Sequence, residues 1–150
     1  MIEKTVPAST AQRFYDHLGR WYDLADFYGG RAKTRALQQL GLAAGWCILH
    51  VGGGTGQDHV QMCAAIGPKG QAVAIDLSTT MLRLTRERTG APVCAADART
   101  LPFADAVFDR LFAAYVLDLI PLADFPILLR DFRRVLPLAE AWCSSRSPRA

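Results

Sequence analysis

The sequence CILHVGGGTG, residues 47–56, joins a short apolar run to a glycine-rich turn. A second apolar run, residues 72–75, ends at a single acid, Asp76. This order predicts a strand, a glycine turn that opens a helix, and a second strand that ends in a carboxylate. That half-fold binds adenosine-containing cofactors, and glycine suits the turn because a β-carbon would obstruct close approach of the ligand. Asp76 follows Gly56 by about 20 residues, the spacing at which a carboxylate can bind ribose hydroxyls.

The residues after the turn distinguish between kinds of cofactor. A dinucleotide site has the pattern G-x-G-x-x-G, but Gln57 and His59 stand at the two places where its third glycine would fall. A phosphate loop has Lys after its last glycine, whereas Gln57 and Asp58 follow Gly56. An acid there repels a phosphate at the start of a helix. The turn therefore predicts a ligand with little or no phosphate, although such turns also occur without a ligand.

Four further groups of residues stand in order along the chain. They are Ile75-Asp76-Leu77-Ser78 with Met81-Leu82, Ala96-Asp97-Ala98, Leu101-Pro102-Phe103 and Val107-Phe108-Asp109. With the glycine turn they resemble the class I S-adenosylmethionine-dependent methyltransferases, above all the quinone-biosynthesis C-methyltransferases and phospholipid N-methyltransferases. The resemblance runs from about Phe14 to Leu136. It implies a Rossmann-like α/β fold, S-adenosylmethionine as the cofactor, and a small-molecule or lipid-like methyl acceptor of unknown identity.

The resemblance also implies roles for individual residues. In the family the glycine turn lies under the methionine portion, the acid matching Asp76 binds the ribose, and the pair matching Asp97 and Ala98 meets the adenine, with Leu77 and Met81 packing against it. The predicted cofactor-binding residues are Gly52, Gly54, Gly56, Asp76, Leu77, Met81, Asp97, Ala98, Tyr22 and Tyr115. No catalytic acid or base is predicted, because methyl transfer from a sulfonium depends mainly on alignment and desolvation.

Tyr22 and Tyr115 belong to this set because of their positions. Tyr22, with Tyr15, can close over the cofactor from an N-terminal helix. Tyr115 ends the fourth predicted strand, at the edge where open α/β sheets bind ligands, and can also contact the acceptor. Each aromatic has an alternative interpretation as a packed core residue.

His50 departs from the family pattern, which usually has Asp or Glu at this position. A neutral imidazole cannot match a carboxylate as the partner of an ammonium group. Part of the contact to the amino-acid end of the cofactor is therefore expected to differ in this chain.

Composition agrees with a single enzyme domain. The chain has 150 residues, 51% hydrophobic content and a formal net charge of +3, and its 17 basic residues are spread among 14 acids, which does not favour nucleic-acid binding. Histidines and cysteines lack ligand spacing, so no metal is expected. No apolar run has the length of a membrane span, and the start lacks a signal peptide, so the cytoplasm is the expected location.

Strands that alternate with helices predict a parallel sheet. The expected organisation is an N-terminal helical segment (1–41), an S-adenosylmethionine-binding α/β core (42–136) and a divergent tail (137–150). The predicted strands are Trp46–Val51, Gln71–Ile75, Pro92–Ala95 and Phe108–Tyr115. The predicted helices are Arg31–Leu40, Gln57–Ile66, a helix between the cap Ser78 and Gly90, and Leu122–Leu136, with Gly29-Gly30 separating the first from an earlier helix.

The tail differs from the family. Where the family continues into a Pro-Gly-Gly turn and an aliphatic fifth strand, this chain reads PLAEAWCSSRSPRA, with too few β-branched residues for a buried parallel strand. The sequence thus predicts a C-terminally truncated sheet with a disordered or frame-shifted tail, or else a short final helix. The fourth strand would be an exposed edge, which favours self-association. Whether the chain is an active enzyme, a non-catalytic cofactor-binding protein or, less favoured, a nicotinamide-dependent oxidoreductase stays open.

Overall fold

Four parallel strands form one sheet in the order β3-β2-β1-β4. The computed structural model describes residues 9–10, 12–13, 16, 30–114 and 116–137. Its strands are β1 (Cys47–Val51), β2 (Gln71–Asp76), β3 (Val93–Ala95) and β4 (Arg110–Ala113). Val51 pairs with Ile75 on one side and with Ala113 on the other. The three strands β2, β1 and β4 therefore end together, and the loops that leave them meet at one edge of the sheet.

Helices cover both faces of this sheet. In the described part of the chain they are α1 (Gly30–Gln39), α2 (Gln57–Ile66), α3 (Thr79–Thr89) and α4 (Phe125–Val135). Two short 3-10 turns, Leu117–Leu119 and Leu122–Asp124, lead from β4 to α4. Residues 9–10, 12–13 and 16 are also helical.

Each face of the sheet carries its own apolar core, and β1 contributes to both. Leu49 and Val51 pack with Leu128 and other residues of α4, whereas Ile48 packs with Met62 and its neighbours in α2 and α1. Burial on both faces is typical of a parallel strand. Each such aliphatic side chain contributes about 1.5–3 kcal/mol when fully buried. The predicted α/β, Rossmann-like fold class is confirmed.

The loop between β3 and β4 is tied to the last turn of α4. The guanidinium of Arg134 donates to the carbonyl of Leu101 at 2.9 Å. In the other direction, the amides of Ala106 and Phe108 donate to the carbonyls of Arg134 and Val135 at 2.9 and 3.1 Å. Helix ends leave several carbonyls without intrahelical partners, and here the loop supplies their donors.

Local sequence signals set the helix boundaries well. The predicted bounds of α2 are confirmed. Ser78 caps α3 as predicted, because its Oγ accepts the amide of Met81 at 3.2 Å. Gly90 ends α3 in a left-handed conformation with φ 67°, which glycine adopts at little cost.

Two predicted boundaries are wrong. The fourth strand was expected over Phe108–Tyr115, but β4 contains only Arg110–Ala113 because Phe108 is instead bonded to the end of α4. The last helix begins as a 3-10 turn before Phe125 rather than as an α-helix from Leu122. Helix α1 begins at Gly30, one residue before its predicted start at Arg31, whereas the predicted end of the earlier helix before Gly29-Gly30 lies outside the described residues and remains a prediction.

Among the residues that the structure describes, no helix combines the length and apolar character needed to cross a membrane. The tail from residue 138 onward lies outside the described residues, so the predictions about it remain predictions.

Candidate functional site

The glycine turn connects β1 to α2 at the edge where the strands end. Gly52, Gly54 and Gly56 have φ values of 70°, 54° and 85°, a left-handed region that disfavours other residues. A β-carbon on Gly52 would lie 2.8 Å from Cβ of Val116, and one on Gly56 would lie 2.8 Å from Cα of Thr85. At these two positions a β-carbon would clash with another part of the protein. Glycine is therefore needed there for packing as well as for the approach of a ligand.

Asp76 lies directly beside this turn, at the end of β2. Its Oδ2 accepts the amide of Gly54 at 3.2 Å, and its Oδ1 accepts the amide of Ser78 at 2.9 Å. Burial raises the pKa of the Asp76 carboxyl, and these backbone hydrogen bonds oppose the rise. A carboxylate has about four acceptor positions, so Asp76 can still accept hydrogen bonds from a ligand.

A second acid, Asp16, reaches the same place from the N-terminal segment. The hydroxyl of Ser78 donates a short hydrogen bond to Oδ1 of Asp16. The charge of Asp16 also contributes to the raised pKa of Asp76. Sequence reasoning missed Asp16, since a polar residue in an amphipathic pattern carries no signal that it contacts a residue 62 positions away.

Asp97 follows β3 at the same edge of the sheet and is held by Arg99. Its Oδ2 accepts Nη2 of Arg99 at 2.6 Å, while its Oδ1 accepts both the backbone amide and Nε of Arg99 at 2.9 and 3.0 Å. The guanidinium lowers the pKa of the Asp97 carboxyl, which therefore stays ionised. Arg99 also donates through Nη1 to Asp124 at 2.7 Å. The sequence analysis assigned no role to Arg99 or Asp124.

The apolar members of the predicted site differ in exposure. Met81 is buried, with only 1% of its surface exposed, and Ala98 is buried in the core on the α4 side of the sheet. Leu77 is partly exposed and lies between Asp76 and Ser78. Of these three residues, Leu77 offers the most accessible apolar surface beside the carboxylate of Asp76.

His50 pairs with His59 beneath the glycine turn. Both side chains are buried, their rings are stacked, and their Nδ1 atoms are 3.3 Å apart. One Nδ1 must therefore donate and the other accept. The Nε2 atom of His59 is buried and has no hydrogen-bond partner among the described residues.

Burial makes both imidazoles hard to protonate. Loss of hydration, together with the neighbouring His59 and Lys33, lowers the pKa of His50 to about 3. Loss of hydration likewise lowers the pKa of His59 to about 4. His50, which departs from the family pattern, thus forms a neutral pair with His59 that joins β1 to α2. Nothing in the sequence around His59 had indicated this pair.

The start of α2 already carries an ion pair. Asp58 lies in the first turn and is 3.4 Å from Nζ of Lys33, a buried residue of α1. The favourable place for an anion at a helix start is therefore occupied by a carboxylate of the protein. This arrangement suits a ligand without phosphate, as the sequence analysis predicted.

Three tyrosines considered in the sequence analysis, Tyr15, Tyr22 and Tyr115, lie outside the described residues, and their predicted roles remain predictions. Within the described part of the chain, no cluster of three His, Cys, Asp or Glu residues could hold a metal ion.

Comparison with known proteins identifies the family. A model of the methyltransferase domain family matches residues 48–137, which is more than half of the chain. A demethylmenaquinone methyltransferase of Staphylococcus aureus (strain Newman) is 32% identical over 108 residues, which cover 69% of this chain and 44% of the relative. The chain therefore belongs to the methyltransferase domain family, as the resemblance implied.

Solved structures agree on the fold. A SAM-dependent methyltransferase from Aquifex aeolicus matches with a TM-score of 0.58 and 25% identity, over 69% of this chain and 57% of that protein. The [4+2]-cyclase SpnF matches with a TM-score of 0.68 and 23% identity, over 88% of this chain and 57% of SpnF. One of these similar folds thus belongs to a protein named as a cyclase, so the fold by itself does not fix the reaction.

The chain spans less than half the length of the curated relative that it matches.

Proposed function

We propose that the chain is the cofactor-binding part of an S-adenosylmethionine-dependent methyltransferase acting on a small-molecule acceptor. The observation that carries this proposal is the contact between Asp76 and the glycine turn: the carboxylate accepts the Gly54 amide and keeps acceptor capacity for a ribose hydroxyl. Family membership over residues 48–137 supports the same activity.

The residues present fit this cofactor better than a phosphate-bearing one. The Asp58–Lys33 pair occupies the start of α2, and the turn lacks the third glycine of a dinucleotide site. We assign Gly52, Gly54 and Gly56 to the approach of the methionine portion. The other proposed contacts are Asp76 for the ribose, Leu77 and Met81 for the flat side of the adenine, and Asp97 with Ala98 for its polar edge, with Tyr22 and Tyr115 closing the site.

Bound S-adenosylmethionine would supply an electrophilic methyl group on a sulfonium that is already a good leaving group. The task of the chain is then to hold the cofactor in one orientation and to keep water away from it. Asp76 would hold the ribose, and the glycine turn would let the cofactor approach the backbone. No residue of the chain is assigned as a general acid or base.

The name of one relative supports a class of acceptor. The Staphylococcus aureus relative is named for methylation of demethylmenaquinone. This supports a quinol-type small molecule as the first acceptor to test. In the same proposal the chain divides into a helical segment (1–41), the cofactor-binding core (42–136) and a tail (137–150).

Calorimetric titration of the whole chain with S-adenosylmethionine, S-adenosylhomocysteine and NAD tests the cofactor assignment. We expect the first two to bind and NAD to bind more weakly. Tighter binding of NAD would contradict the proposal. Release of S-adenosylhomocysteine in the presence of a demethylated quinol would support an enzyme, whereas binding without turnover on any acceptor would favour a non-catalytic cofactor-binding protein.

A further inference from the structure

The hydroxyl of Thr85, a buried residue of α3, is bonded to the glycine turn and not to its own helix. It donates to the carbonyl of Gly54 at 2.9 Å. A threonine inside a helix commonly donates to the carbonyl four residues before it, as Thr89 does toward Thr85 at 2.8 Å. A hydroxyl has one proton to donate, so Thr85 gives up this local bond for a residue 31 positions away in the sequence.

Gly54 is thereby held on both sides of its α-carbon. Its amide donates to Oδ2 of Asp76 at 3.2 Å, while its carbonyl accepts the Thr85 hydroxyl. Glycine has the greatest backbone freedom of any residue, and two bonds of this kind restrict both of its dihedral angles, including the φ of 54°. The direction of the Gly54 amide therefore depends on Thr85 as well as on Asp76.

Helix α3 also contacts the two residues of the turn that follow Gly54. Arg88 donates through Nη1 to Oγ1 of Thr55 at 3.2 Å, and a β-carbon on Gly56 would lie 2.8 Å from Cα of Thr85. These two contacts do not involve the proton of the Thr85 hydroxyl. A variant that lacks only this hydroxyl should therefore keep the packing between α3 and the turn.

We infer that Thr85 is a positioning residue of the cofactor site: its hydroxyl fixes the orientation of Gly54, so that the Gly54 amide stays on Asp76 and holds that carboxylate toward the ribose. The inference rests on the proposed function. Without the hydroxyl, the Gly54 carbonyl would lose its donor and Gly54 could rotate. Asp76 would keep the bond from the Ser78 amide but lose the bond that ties it to the turn.

Calorimetric titration of the whole chain with S-adenosylhomocysteine tests this inference. Thr85→Val keeps the shape of the side chain but lacks the hydroxyl, so its affinity should fall about 5-fold, the factor that corresponds to one neutral hydrogen bond. Thr85→Ala also lacks the hydroxyl and is a better helix former, so it should show the same loss in a helix that forms more readily. Thr85→Ser retains the hydroxyl and should bind as tightly as the parent.

Thr89→Val is the matched control on the same helix. The Thr89 hydroxyl donates to the Thr85 carbonyl and accepts the amide of Ala91. Its loss should lower the unfolding free energy in urea without changing the affinity for S-adenosylhomocysteine. Affinity losses in Thr89→Val and Thr85→Val that follow their losses of stability would mean that α3 acts only as a support, which would overturn the inference.

A double-mutant cycle with Asp76→Ala separates positioning from support by another route. Positioning acts through the Asp76 carboxylate, so Thr85→Val should have little further effect on affinity once this carboxylate is removed. The same factor in both backgrounds would overturn the inference, as would parental affinity in Thr85→Val and Thr85→Ala or a full loss in Thr85→Ser. A parent that does not bind S-adenosylhomocysteine would overturn the proposed function, and this inference with it.

Discussion

Acidification should destabilise this chain at pH values well above those at which carboxylates titrate, because the imidazoles of His50 and His59 are buried. Both imidazoles stay neutral in the folded chain down to low pH, because burial lowers their pKa values to about 3 and about 4. In the unfolded chain both regain the ordinary pKa of about 6.5. Below pH 6.5 the unfolded chain therefore takes up protons that the folded chain refuses, and stability falls as the pH falls.

The size of the effect follows from these values. Between pH 7 and pH 5 each buried histidine costs about 2 kcal/mol of unfolding free energy, or about 4 kcal/mol for the pair. The two contributions add in this range, because at pH 5 neither ring is charged in the folded chain. A typical domain has an unfolding free energy of about 5–15 kcal/mol, so a loss of about 4 kcal/mol is a large fraction of it.

Urea unfolding at pH 7, 6 and 5, followed by the fluorescence of the three tryptophans, measures this loss. His50→Gln is the informative variant, because it removes one titrating group, so the loss between pH 7 and pH 5 should halve to about 2 kcal/mol. The comparison uses the pH dependence of each protein and not its absolute stability. A parent whose unfolding free energy changes by less than about 1 kcal/mol over this range would refute the reasoning, since the rings would then be free to protonate in the folded state.

Three other outcomes are expected. Asp76→Ala should weaken binding of S-adenosylhomocysteine by about 1.5–3 kcal/mol, the value of hydrogen bonds to a charged group, and equal calorimetric affinity of variant and parent would exclude the ribose assignment. Gly56→Ala should lower the unfolding free energy by more than Gly67→Ala in the same urea assay, because both residues have positive φ but only the β-carbon at position 56 would meet backbone, at 2.8 Å from Cα of Thr85. Sedimentation should reveal self-association through the free edge of β4, which has a neighbour only on its β1 side among the described strands, and a monomer at all concentrations would count against this.

Local chemistry explains which parts of the fold could be predicted from the sequence. The bounds of α2, the cap at Ser78 and the stop at Gly90 depend on neighbouring residues, and all three are confirmed. The start of β4 depends on a hydrogen bond between the Phe108 amide and the Val135 carbonyl, which no local pattern reveals.

The candidate site likewise combines features that the sequence predicted with contacts that it did not reveal. The glycine turn and Asp76 are local motifs, and the structure brings them within hydrogen-bond distance. The partners that the sequence did not reveal arise from side chains that meet across the fold: Asp16 with Ser78, and Arg99 with Asp124. Such pairs depend on packing geometry, which residue types and spacing along one chain do not specify.

The hydrogen bonds between the β3–β4 loop and the end of α4 limit how far the sequence of this loop can change. The loop lacks regular secondary structure, yet the amides of Ala106 and Phe108 and the carbonyl of Leu101 are all committed to α4. Tolerance of inserted residues and of proteolytic cleavage depends on whether backbone groups are committed in this way. Insertion or cleavage in the β3–β4 loop should therefore destabilise the chain more than the irregular conformation of the loop suggests, because it would break these hydrogen bonds to α4. The β3–β4 loop, although irregular, behaves in this respect as part of the helix.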